Sequence, residues 1–240
     1  MSYFNWDDNF RQNVAMGKVR GASTVHKFGA VPAMSQNQDG TIWDVNDTLY
    51  PWSAFDPGAA NLVVAHSNGG DDGKTLTIIG LDADYNELTE EINTGTNPGT
   101  VTTTNQFIRV FRAYTGTPLV GNIEIKVGTT VVAKILENRQ QTQMAVYTVP
   151  AGKTGYLYRG VCTAQASADG SGDMYIRYGG EDAFRIAHSF EVAGVGGQYD
   201  YDFSFPQRIP EKSDIDVRMT TRSNNGRYTA AFDLLLLKES

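Results

Sequence analysis

From residue 62 to the C-terminus, apolar positions recur at every second residue in short runs that turn-forming residues interrupt. The runs at 62–66 (LVVAH), 74–81 (KTLTIIGL), 87–92, 106–114, 121–127 and 131–136 are rich in β-branched and aromatic residues, as strands prefer. Between them lie turn clusters at 68–73, 82–86 and Gly128-Thr129-Thr130, and a Gly/Thr/Pro loop at 94–100. At 144–149 and 156–161 two further runs flank Pro150-Ala151-Gly152-Lys153, which reads as antiparallel strands meeting at a tight corner with Lys153 at its exposed tip. Strands at 174–178, 184–192 and 199–205 follow, around a turn at 168–173 and a Gly-rich loop at 194–197. After a corner at 208–212, residues 214–222 place Ile215, Val217 and Met219 on one face and Asp214, Asp216 and Arg218 on the other. Asn224-Asn225-Gly226 offers the positive-φ residues of a tight hairpin. The return strand at 228–237 ends in four leucines, apolar on both faces, and belongs between other elements.

Roughly thirteen short strands at this spacing predict an all-β chain, an antiparallel β-sandwich or jelly roll. The pattern fits one large sandwich or two stacked ones, and no internal repeat is evident.

Residues 1–60 differ. They are rich in Asn, Asp, Gln, Gly and Pro, hold all three tryptophans, and sustain no long period. A short helix at 8–16 is expected to end at Gly17 and Gly21. The rest reads as an extended arm whose aromatic groups dock onto a sheet of the same chain or a neighbouring subunit. Phe4, Trp6, Phe10, Phe28, Trp43 and Trp52 are the candidate interface residues. With the polar connector at 137–143 (ENRQQTQ), the chain divides into an arm (1–60), a first β module (61–137) and a C-terminal β-sandwich (142–240).

Composition narrows the function. The chain has 240 residues, enough for a sizeable core without disulfides or metal. No apolar run reaches membrane-spanning length, and the first residues carry acids and no apolar signal core, so neither a membrane span nor a classical secretory signal is expected. A net charge of −7 with no basic stripe disfavours nucleic acid. Cys162, within GVCTAQA, reads as a small buried hydrophobe. His26, His66 and His188 are far apart and fit no metal spacing, and no G-x-S-x-G elbow occurs. Residues 82–87 (DADYNE) begin like a calcium loop but lack its glycine and closing glutamate, so a hairpin turn is expected. Asp71-Asp72 and the acids at 169–173 read as solvated turns. Glu90-Glu91 and Glu181-Asp182 are neighbours in strands, pointing to opposite faces, and make poor catalytic dyads. No enzyme, cofactor or metal is expected. Tyrosines at 156, 158, 175, 178, 199 and 201 could form a sugar-stacking platform, which makes a carbohydrate-binding module the rival reading; core or interface packing is the commoner use of such residues.

Several stretches carry a family resemblance: Val25-His26-Lys27-Phe28-Gly29 with Thr41-Ile42-Trp43-Asp44, Gly80-Leu81-Asp82 with 88–92, YTVPAGKTGYL at 147–157, and RIPEKSDIDVR at 208–218. Together they resemble small structural proteins of tailed bacteriophages, especially short-tailed and marine ones, over most of the chain. These are fold-building motifs, and Ala30-Val31-Pro32 stands where more polar residues would follow Phe28-Gly29. The resemblance implies a virion component without enzymatic activity, assembled in the host cytoplasm. It also implies a homo-oligomer, expected as a trimer, that contacts the major capsid protein or another virion protein. Capsid decoration or cementing is the first expectation, a head–tail junction, tail or fibre-associated role the second.

Overall fold

The computed structural model describes residues 9–165, 168–194 and 196–239; Phe4 and Trp6 lie outside them. A helix, α1 (Asn9–Ala15), precedes β1 (Ala22–Met34) and the short β2 (Asp39–Thr41). A middle block follows: β3 (Ala60–His66), β4 (Thr75–Leu81), β5 (Glu87–Asn93), β6 (Thr100–Phe107), β7 (Arg109–Thr115), β8 (Ile123–Val127) and β9 (Thr130–Ile135). The last block holds β10 (Val146–Thr148), β11 (Lys153–Gln165), β12 (Gly170–Arg177) and β13 (Arg185–Val192). It closes with β14 (Gln198–Ile209), β15 (Asp214–Thr221) and β16 (Gly226–Lys238).

All ladders between these strands are antiparallel, and the chain is the β-sandwich its alternation predicts. One sheet runs β1-β16-β11-β14; its partner runs β10-β15-β12-β13, with β2 sharing the β15 edge that β10 uses. Side chains of the two meet where Cys162 and Ala230 face Met174 and Val217. In the middle block β6-β3-β8-β9 and β5-β4-β7 form the second pair of sheets. The two sheet pairs share one continuous apolar core.

The main departure from expectation is the arm. Residues 22–34 form a long strand paired along β16, and Trp43, Tyr50, Trp52 and Phe55 are buried in the core, so beyond residue 21 the segment belongs to the C-terminal sandwich. Sequence period hides β1 because its first half is largely exposed on both faces. Gly29 interrupts the apolar pattern for a steric reason: a Cβ there would lie 2.2 Å from the Ile42 carbonyl oxygen and 2.3 Å from the Ala145 nitrogen. The helix is where it was expected, with Gly17 and Gly21 at positive φ beyond its end. Two smaller differences concern β6, a Thr-rich strand without an apolar stripe, and β12, which begins at Gly170, inside the expected turn. The Pro150 corner turns as expected, with Gly152 at φ +70° and Lys153 N–H donating to Pro150 O at 3.3 Å. Lys153 is not an exposed tip, however: it is half-buried and paired with Glu87, and β10 and β11 belong to different sheets.

Candidate interaction surfaces

The acidic side of β15 is not a solvent face. Asp214 and Asp216 are 2% and 0% exposed. Arg109, the first residue of β7, donates from Nε (2.9 Å) and Nη2 (3.0 Å) to the two oxygens of Asp214, a bidentate pair across the two blocks. Arg177 of β12 donates to Oδ2 of the same carboxylate from Nε at 2.9 Å and Nη2 at 2.5 Å, and Thr148 Oγ1 donates to Oδ1 at 2.6 Å. Asp216 accepts from Thr41 Oγ1 (2.8 Å), Trp52 Nε1 (3.0 Å) and Arg218 Nε (2.9 Å). The Trp52 ring also packs against both guanidinium groups, 5.3 Å from Arg109 and 5.6 Å from Arg177. Every carboxylate oxygen in this network is engaged in holding elements together. It is a staple.

Two isolated ionisable groups sit on the same seam. Lys27 of β1, 8% exposed, donates to the Phe111 carbonyl of β7, and burial together with the nearby Arg112 charge lowers its pKa to about 7. Asp44, 5% exposed, accepts the Gln143 N–H at 2.6 Å through Oδ2. Its Oδ1 has no partner among the described residues. Burial raises its pKa to about 7 against the opposing pull of that N–H, Arg139 and Lys134.

Among the described residues, three of the seven large exposed apolar side chains, Ile186, Tyr201 and Phe205, lie on β13 and β14; Met16, Leu49, Tyr114 and Val120 lie elsewhere. Each of these two strands ends its sheet, so each keeps one unpaired edge among the described strands. Between them runs a ladder of rings. His188 Nε2 is 2.5 Å from the Tyr199 hydroxyl, Tyr199 and Tyr201 lie near-parallel (7°) with centroids 6.3 Å apart, and Phe203 meets Tyr201 edge-on at 4.8 Å. Against β11, Gln207 pairs with Leu157 and Asp202 with Arg159, so residues 203–206 bulge out of register. That bulge presents Phe205, 90% exposed; Tyr201 on the same strand is 41% exposed and Ile186 on β13 57%.

The expected interface residues scatter. Phe10, on α1, borders a cavity of about 460 Å³ over the outer face of β1, β16 and β11, together with His26, Tyr158 and Asp233. Phe28 is half-buried on β1, its ring 6.2 Å from that of His26. Trp43 and Trp52 are buried in their own core and offer no surface to a partner, a correction to the expected interface set. Ile186 and Phe205 were missed. The available signal was Phe205 directly before Pro206 in a strand-like run, because proline cannot donate to a ladder and marks edges and bulges.

The acidic turns divide. Asp82 caps the expected hairpin turn, accepting from the N–H groups of Asp84 and Asn86 at 2.9 and 2.8 Å. Asp71 is not solvated; it is 0% exposed, accepts from the Val120 and Gly121 N–H groups and pairs with Lys74 at 2.9 Å. Among the described residues no cluster of three or more His, Cys, Asp and Glu could hold a metal.

No protein family and no curated protein sequence matches the chain. Among solved structures it is similar to that of the infectious bursal disease virus Gt strain, at 12% identity and a TM-score of 0.21 over 96% of this chain and 78% of that one. It is also similar to the VP2 subviral particle of the same virus, at 10% identity and a TM-score of 0.22 over the same shares. A third match is the Gx strain, at 13% identity and a TM-score of 0.21 over 91% and 72%. Likenesses this weak carry no weight in assigning a role to the chain.

Proposed function

We propose that this chain is a non-enzymatic structural protein of a tailed-phage virion, acting as a capsid decoration or cement protein through the β13–β14 edge. The observation that carries the reading is the exposed aromatic edge itself: Phe205, Tyr201 and Ile186 stand on two strands with unpaired edges. A bare apolar edge on a lone protein invites aggregation, whereas in an assembly it is covered. The sequence resemblance to phage structural proteins supports the same role, and the ion-paired seam suits a rigid building block. The partner is the major capsid protein or another virion protein, with copies of the chain associating as a homo-oligomer, a trimer in the simplest case. A place at the head–tail junction, tail or fibre uses the same surface and differs in copy number.

The test is incorporation of a Phe205→Asp/Ile186→Asp double variant into particles. The variant is expected to fold and to be lost from particles; incorporation at the wild-type level overturns the reading. A carbohydrate-binding module is the second reading, favoured by the near-parallel Tyr199 and Tyr201 rings at this edge. Saturable binding on a glycan array that Tyr201→Ala abolishes would select it.

A further inference from the structure

Between β1, an edge strand of the C-terminal sandwich, and the β5-β4-β7 sheet lies a cavity of about 240 Å³. Lys27, Arg112, Thr142, Tyr147 and Glu87 border it. Its charges are unbalanced. Among the described residues, neither Lys27 nor Arg112 has a carboxylate within 4.0 Å. Lys27 gives one of its three possible donor bonds to the Phe111 carbonyl. Arg112 donates to the neutral Gln141 Oε1 at 2.8 Å and lies over the Tyr114 ring. Glu87, the acid on the wall, is engaged by Lys153 at 2.5 Å. The Thr142 hydroxyl accepts from Ala113 N–H at 3.1 Å, which leaves its own proton to donate. Burial first, and then Glu87, push the Tyr147 phenol well above its usual range, so it too keeps a proton.

We infer that this cavity binds a small oxyanion, a carboxylate or phosphate group, held by Lys27 and Arg112 with Thr142 and Tyr147 as hydroxyl donors. A buried Lys27 ammonium without a counter-ion, with the exposed Arg112 guanidinium acting on it across the same cavity, is costly, and an anion supplies the missing charge. The cavity's volume suits inorganic phosphate or a short carboxylate. Since Lys27 comes from β1 and Arg112 from β7, the anion joins the two blocks of the fold and stabilises the folded state on binding.

The site carries its own signature. The charged or titratable groups around Lys27 are Arg112 from β7, Glu87 from β5, Tyr147 from β10 and His26 from β1, the last held by Asp233 at 2.5 Å. Only Arg112 works on Lys27 beyond burial, and it lowers the pKa to about 7. An anion reverses that balance, so above pH 7 binding takes up a proton, and affinity falls as pH rises.

Isothermal titration of the full chain at pH 8, with inorganic phosphate and separately with acetate, in two buffers of different ionisation enthalpy, tests this. The expected result is saturable one-to-one binding of at least one anion with net proton uptake. Phosphate alone binding points to a phosphate group, and acetate binding to a carboxylate. Lys27→Met should abolish both binding and uptake, with its fold checked by circular dichroism. Arg112→Gln, at an exposed position, should weaken binding at least tenfold and serves if Lys27→Met misfolds. No saturable binding of either anion, or binding of unchanged strength in these variants, overturns the inference.

Discussion

Phe205 and Asp214 mark the two extremes at the residue scale. Phe205 is almost wholly exposed, so Phe205→Asp should shift folding stability by no more than about 0.5 kcal/mol in urea denaturation. Asp214 is buried between Arg109 and Arg177, and Asp214→Ala strands both cations. The same measurement should show a loss of about 3–5 kcal/mol, the usual consequence of breaking a buried pair from one side. In the sequence, Asp214 and Asp216 looked like the polar side of a half-buried strand. Alternation reports that two faces differ, but not that the second face meets arginines delivered from residues 109 and 177. Gly152 is a simpler case. It has φ +70° and no atom within 4 Å of a built Cβ, so Gly152→Val should cost about 1–3 kcal/mol through backbone strain alone.

At the scale of elements, legibility tracks the contrast between faces. The strands from β3 to β5, the β8–β9 hairpin and the β15–β16 hairpin were readable because apolar alternation and turn residues coincide there; of the expected turn residues Asn225 takes φ 55°, while Gly226 already begins β16. β1 was not, since Gly29 and Pro32 break its pattern and its exposed start lacks an apolar stripe. β6 was missed because TVTTTNQF alternates among polar residues. The pairing of β1 with β16 places the real N-terminal boundary near residue 21. Removing residues 1–21 takes away α1 and Val14 but leaves every described strand in place, and the protein should keep a cooperative thermal transition by circular dichroism. Removing 1–55 strips β1 from β16 and takes Trp43 and Trp52 from the core, and should abolish that transition. The candidate interface was legible only as aromatic abundance; which rings face out depends on a register shift between β11 and β14 that no local pattern encodes.

Across the whole molecule, the two blocks meet on a seam with two groups that titrate near neutrality. Asp44 has its folded pKa raised to about 7 from 3.8, so its contribution is full at low pH and is lost as pH rises through 7. Lys27 has its pKa lowered to about 7 from 10.5, so its contribution is full at high pH and is lost as pH falls through 7. Their combined contribution is therefore smallest near pH 7. In urea denaturation between pH 4 and 9, Asp44→Asn should gain stability relative to wild type as pH rises from 4 to 7, then hold that gain. An unchanged difference across that range would contradict the burial of Asp44. Beyond stability, the proposed role has the molecule working through its surface as part of a particle. Quantitative mass spectrometry of virions purified from cells expressing the chain tests that role most directly. The chain is expected at a fixed ratio to the major capsid protein, and should be lost when Phe205 and Ile186 are both changed to aspartate; its absence from purified virions would contradict a structural role in the particle.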